Sequence, residues 1–205
     1  LRNSITPSFG NSVAFESKES NYGVLNDFTL IQNGIVVVCM SCLCNLYQPF
    51  IRLWIGSQYM LPDYMIYLFA IYFYAMSLSE NTVMLREVTG IWWEGRKGAV
   101  IEAASNLILN YVLVKYYGIA GVVVSTIITI VFINLPWETY IIFKYYFNMN
   151  PFKYVIKQLV LAAESIVIVA ITYIIGKIVI VTDIGSLLLK ITGSVLIPVI
   201  LWVLI

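Results

Sequence analysis

Glu102, Asn106 and Asn110 recur every four residues in "EAASNLILN", inside a run of Leu, Ile, Val and Tyr long enough to cross a bilayer. Spacing of i, i+4, i+8 sets an acid and two amides on one line of a helix. Such groups are costly against hydrocarbon and normally turn toward a bundle interior or a wet cavity. Two readings follow: hydrogen bonding between helices, or the polar wall of a substrate path. Glu80 and Asn81 form a second polar pair. With ~3.6 residues per turn, Tyr67, Phe73, Tyr74, Ser77, Glu80, Asn81 and Met84 fall within one arc of about 140°. Aromatic faces beside hydroxyls, amides and a carboxylate suit sugar rings, and a tyrosine-rich packing face is the alternative. Arg86, Arg96 and Lys97 flank these stretches in "REVTGIWWEGRKG". They either attract a diphosphate at a cytoplasmic mouth or fix membrane orientation.

Bond-breaking chemistry finds little to work with. The sequence has no histidine, which removes the commonest general base and metal ligand. No Ser/His pair, glycine-rich phosphate loop or Cys/His metal spacing occurs. Glu80 and Glu87 lie seven residues apart on one helix, and Glu87 belongs to the basic turn, so they make a poor carboxylate pair for glycosyl transfer. Cys39, Cys42 and Cys44, without a fourth cysteine and in an apolar setting, read as packing residues rather than a metal cluster. No enzyme and no cofactor are expected. Coupling to a Na⁺ or H⁺ gradient would need an acid within the membrane, a part open to Glu80 or Glu164. Gln158, Ser165 and Thr172 at heptad spacing, and Ser125, Thr126 and Thr129, read as weaker stripes that glue helices together. Pro136 is expected to kink its helix.

The elements that must position these residues follow from composition. Of 205 residues, 60% are hydrophobic and 11% charged, with mean hydropathy +0.88. Soluble domains run near half apolar and a quarter charged. The solvent is therefore lipid, and a bilayer core takes ~20 apolar residues per helix. A net charge of +1 leaves no basic footprint for nucleic acid. The expected fold is all-α, a polytopic bundle of about six transmembrane helices. Residues 1–27 form a polar loop or amphipathic segment, and residues 28–205 form the bundle. Spans are expected at 28–47, 64–85, 99–117, from Gly121 to 143, at 158–175, and from Lys190 onward. "GKIVIVTDIGSLLLK" reads either as helix extension or as an interfacial segment. Basic residues divide eight against four. Arg2, Lys18, Arg86, Arg96, Lys97, Lys144, Lys153 and Lys157 lie on one side, and Arg52, Lys115, Lys177 and Lys190 on the other. The richer side is cytoplasmic. With Leu1 first and "LIPVILWVLI" last, the sequence reads as a fragment of a longer membrane protein.

Residues 85–147 carry a basic turn (Gly90, Arg96), an Asn-bearing helix (Asn106, Asn110) and a "GIAGV" reversal. A Ser/Thr helix (Thr126) then closes on Trp137, Glu138 and Tyr140 before a basic connector. In this order they resemble the bacterial polysaccharide flippases, the Wzx-like branch of the multidrug/oligosaccharidyl-lipid/polysaccharide exporter superfamily. "TPSFGN" and "PFIRLWIGSQYML" look similar to other segments of that family. The resemblance implies a MATE-like fold of two pseudo-symmetric helical lobes, of which this chain is the later part of the second lobe plus extra C-terminal helices. It also implies passage of undecaprenyl-diphosphate-linked oligosaccharide across the bacterial plasma membrane, with that lipid-linked oligosaccharide, membrane lipids and other polysaccharide-assembly proteins as partners. Two other functions stay open: a drug/cation antiporter of the same superfamily, and a membrane polymerase or ligase acting on lipid-linked sugars. The latter would normally show a large, charged outer loop, whereas the outer segments here are short and nearly uncharged.

Overall fold

The computed structural model describes residues 2–204, with side chains from Ile5 onward. Leu1 and the side chain of Arg2, both used in the reading above, lie outside the described residues. The chain is 90% helical, and no strand occurs among the described residues. Helix α1 is Arg2–Phe15, α2 Lys18–Trp54, α3 Asp63–Thr89 and α4 Trp92–Tyr117. Then come α5 (Ile119–Thr129), a π-helical stretch Ile130–Asn134, α6 (Leu135–Ile141) and a second π stretch Ile142–Phe147. Helices α7 (Phe152–Gly176) and α8 (Ile184–Leu204) complete the chain.

Four stretches, Lys18–Trp54, Ile119–Phe147, Phe152–Gly176 and Ile184–Leu204, are both long and apolar enough to cross a membrane. With the composition, they define an all-helical membrane protein. Helices α3 and α4 have 27 and 26 residues, about 40 Å each at about 1.5 Å per residue. Their length suffices, and their acids, amides and basic ends leave them no stretch as continuously apolar as those of the other four.

The chain packs as two compact units, Leu1–Leu30 with Tyr74–Val155 and Ile31–Phe73 with Ile156–Ile205. In the first unit, Phe9, Leu25, Met84, Leu85 and Ile141–Phe143 share a core with Phe28, Phe147 and Tyr154. This core orders the N-terminal segment. Residues 2–27 are α1, a two-residue break and the first turns of α2, although Ser, Asn and Gly are weak helix formers. Phe9 is buried, Ser12 donates a hydrogen bond to Asn21 Oδ1 at 2.6 Å, and Asn21 Nδ2 donates to the Tyr146 hydroxyl at 2.7 Å. Tertiary packing overrides local preference there.

In the second unit, Ser165 of α7 donates to Asn33 of α2 at 3.2 Å. The hydroxyls of Tyr67 and Tyr173 hydrogen-bond at 2.8 Å. Gly34 lets the Trp202 ring approach so closely that a Cβ would stand 2.9 Å from it. Cys39, Cys42 and Cys44 are free thiols. The ambiguous "GKIVIVTDIGSLLLK" resolves into a break after Gly176 and a new helix from Ile184. Asp183 caps that helix. Its carboxylate accepts the Ser186 amide at 2.7 Å, while Ser186 Oγ accepts the Asp183 amide at 3.1 Å, a reciprocal capping arrangement. Hydrogen bonds from Ser186 hold the Asp183 carboxyl below the usual carboxylate range.

Candidate functional site

Gly118 joins α4 to α5 with no intervening loop. Its φ of +56° lies where a side chain would be strained, so the reversal depends on glycine. Three residues on, Gly121 lies where any Cβ would strike the Leu113 carbonyl. The two helices therefore return antiparallel at close range, and polar rungs descend from the reversal.

The first rungs use both asparagines of the stripe. Ser125 donates to Asn110 Oδ1. Asn110 Nδ2 donates to Asn106 Oδ1 at 2.8 Å. Asn106 Nδ2 donates in turn to Thr129 Oγ1 at 3.1 Å and Thr126 Oγ1 at 3.4 Å. Each threonine passes its own proton to its helix backbone, Thr126 to Val122 O at 2.9 Å and Thr129 to Thr126 O at 3.1 Å. Donors thus run in one direction through the rung, and Asn106 has both ends of its amide engaged. One turn further down, Asn134 Nδ2 donates to Glu102 Oε2 at 2.7 Å. Glu102, Asn106 and Asn110 are all half-buried, with their partners on the α5–α6 side.

Below Glu102 the small residues of α4 take over. Gly98 lies under the Trp137 ring, which would collide with a Cβ, and Trp137 Nε1 donates to the Glu94 carbonyl at 3.3 Å. Gly95 lies under Arg86, where a Cβ would stand 2.8 Å from Cδ. Arg86, in the last turn of α3, reaches across to Glu138 of α6, with Nε 2.7 Å from Oε2. The two side chains are 15% and 5% exposed. The Arg86 guanidinium also stands 5.3 Å from the Trp92 ring centroid, a cation–π distance.

The other residues singled out by sequence divide. Arg96 and Lys97 are exposed in the first turns of α4, and Arg96 covers the Trp93 ring at 3.8 Å. Asn81 is 2% exposed; its Nδ2 donates to Thr29 Oγ1 at 3.4 Å, and its Oδ1 has no partner among the described residues. Glu80 is half-buried on the same helix. Asn81 thus bonds α2 rather than the α4–α5–α6 ladder. The aromatic arc is divided too: Tyr67 and Phe73 belong to the second unit, and Tyr74, Ser77, Glu80, Asn81 and Met84 to the first.

Sequence reading did not place Asn134 or Glu138 at a site. A signal was available, because the two stand four residues apart in an apolar span, as Glu102 and Asn106 do. The arrangement joins α4 to the α5–α6 stretch through satisfied donors, and α3 to α6 through one ion pair. It presents no nucleophile beside a base. Comparison with protein-family models, with curated proteins and with solved structures finds no match to this chain.

Proposed function

We propose that the chain is part of a bacterial plasma-membrane flippase for undecaprenyl-diphosphate-linked oligosaccharide, acting in the assembly of cell-surface polysaccharide. It performs no covalent chemistry. In this reading α3 and α4 also cross the bilayer, giving about six spans within one lobe of a MATE-like transporter. One observation supports the reading. Of the residues that carry the flippase resemblance, Asn106, Asn110 and Thr126 share one hydrogen-bonded network below the close contact at Gly121, and Trp137 packs on Gly98 of the same helix, whereas Gly90, Arg96 and Tyr140 lie outside it.

A diphosphate and many hydroxyls cannot enter hydrocarbon without replacements for their lost hydration. Repeat-built transporters supply those at a polar site between helical bodies that rock as rigid pieces. The ladder suits such a body, since close glycine contacts and a directional hydrogen-bond chain lock α4 to α5 and α6. Asn106 and Asn110 act here by stiffening the lobe beside the path. Glu80 and Asn81, on α3, are the residues assigned to the path itself. Arg86 is neutralised by Glu138, while exposed Arg96 and Lys97 hold the cytoplasmic side.

The test is reconstitution of the full-length protein into vesicles with a fluorescent polyprenyl-diphosphate oligosaccharide. Inner-leaflet label should become accessible to an external quencher within minutes, faster than in protein-free vesicles. Protection equal to protein-free vesicles would overturn the assignment. Efflux of a cationic dye on an imposed Na⁺ or H⁺ gradient, without movement of the sugar lipid, would assign the chain to the drug/cation antiporters.

A further inference from the structure

At one end of the second unit α2 stops at Trp54, α7 stops at Gly176 and α8 starts at Ile184. Between these ends lies a cavity of about 260 Å³ whose wall includes Gln48, Arg52, Lys177, Lys190 and residues 179–181. Ligand pockets run from roughly 300 Å³ upward, so the space suits a small group. Its wall holds three cations and no carboxylate. Arg52, Lys177 and Lys190 make no ion pair among the described residues. Uncharged partners hold them instead. Arg52 donates to the Val181 carbonyl, Lys190 Nζ donates to the Val179 carbonyl at 3.4 Å, and the Lys177 ammonium stands 4.7 Å from the Tyr173 ring centroid.

The nearby acids are already engaged: Asp63 accepts from Gln48 Nε2 at 2.8 Å, and Asp183 caps α8. Like charges held together without a counter-ion repel, and an anion between them removes that cost. Gln48 adds a second requirement. Its Nε2 donates to Leu61 O and to Asp63, while its Oε1 is buried with no partner among the described residues. A carbonyl oxygen in that state calls for an O–H or N–H donor, from water or from a ligand. Exposed Trp54 and Tyr59 stand on the same end of the unit, and such aromatics mark the headgroup depth of a membrane, where lipid phosphates lie.

We propose that this cavity binds a phosphate ester bearing a neighbouring hydroxyl, with the three cations on the phosphate and Gln48 Oε1 accepting the hydroxyl. A glycerol-bearing anionic phospholipid headgroup and a soluble glycerol phosphate share this chemistry. The site does not depend on the chain being a flippase.

Native mass spectrometry of the detergent-solubilised full-length protein tests it, with added phosphatidylglycerol or phosphatidylcholine. Phosphatidylglycerol should be retained in preference to phosphatidylcholine. Arg52→Gln with Lys190→Gln should weaken its retention by about tenfold or more, since a hydrogen bond to a charged group contributes roughly 1.5–3 kcal/mol. Lys177→Gln, an exposed position, gives the same direction of change should the double variant fail to fold. Competition by free glycerol 3-phosphate identifies a soluble ester as the ligand, and its absence identifies the lipid headgroup. Equal retention of the two lipids, or retention unchanged in Lys177→Gln and the double variant, overturns the site.

Discussion

Glu138 lies in an apolar helix with its carboxylate almost wholly buried, and Arg86, at 2.7 Å, is what makes that tolerable. An ion pair this enclosed gains little over a well-packed apolar pair, because desolvation offsets the attraction. Losing one partner is different, since the other charge stays buried and unpaired. Arg86→Met alone, or Glu138→Leu alone, should each destabilise the protein by roughly 3–5 kcal/mol. The two together should come much closer to the wild type. Thermal unfolding of the four proteins in detergent measures that cycle, and additive single effects would show that the pair is not coupled. Sequence reading found Arg86 as a charge in a basic turn but not its partner, which lies 52 residues away. The same holds for Gly95 and Gly98. Glycines in a charged segment read as turn residues, whereas here they are helical and leave room for Arg86 and Trp137.

At the scale of elements, the stripe Glu102, Asn106 and Asn110 was visible because a period of four survives in any helix. What faced it was less visible, because the helix after Thr129 does not keep a period of 3.6. Pro136 has no N–H to offer the carbonyl four residues before it, and the chain winds as a π-helix over Ile130–Asn134 just ahead of it. That winding shifts the faces of Asn134 and Glu138 relative to those of Ser125 and Thr129. The ladder yields a prediction of its own. Asn106→Leu with Asn110→Leu removes the bonds to Thr126 and Thr129 and the bond from Ser125. Interhelical hydrogen bonds in membranes average about 0.6 kcal/mol, so the loss should come to roughly 2 kcal/mol. The hydroxyls left behind still bond their own backbone, which keeps the cost low. Flipping by this variant should fall in proportion to its folded fraction, with the apparent affinity for sugar lipid unchanged. A large rise in apparent KM at full folding would instead put the asparagines on the substrate path.

For the whole molecule, composition alone dictated a helical membrane protein, since so apolar a chain has no water-soluble core large enough to hide in. The number of crossings is a finer matter. Four stretches are apolar enough without help, whereas α3 and α4 carry the polar residues that any transport role requires. A helix with satisfied polar groups can span the membrane at lower mean apolarity, because the ladder removes much of the cost of Glu102, Asn106 and Asn110. We propose on that ground that α4 crosses and α3 with it, and parity along the chain makes the proposal testable. With six spans, Ser57 and Lys97 lie on opposite sides of the membrane, and Lys97 and Asn150 on the same side. With four, Ser57 and Lys97 share a side, and Asn150 lies across from both. Single cysteines at 57, 97 and 150 in the full-length protein, with Cys39, Cys42 and Cys44 replaced by alanine, can be labelled with an impermeant maleimide from either compartment. The expected pattern is cytoplasmic labelling at 97 and 150 and external labelling at 57, in line with the excess of basic residues near the first two. Labelling of 57 and 97 from one side would remove α3 and α4 from the membrane, and with them the flippase reading.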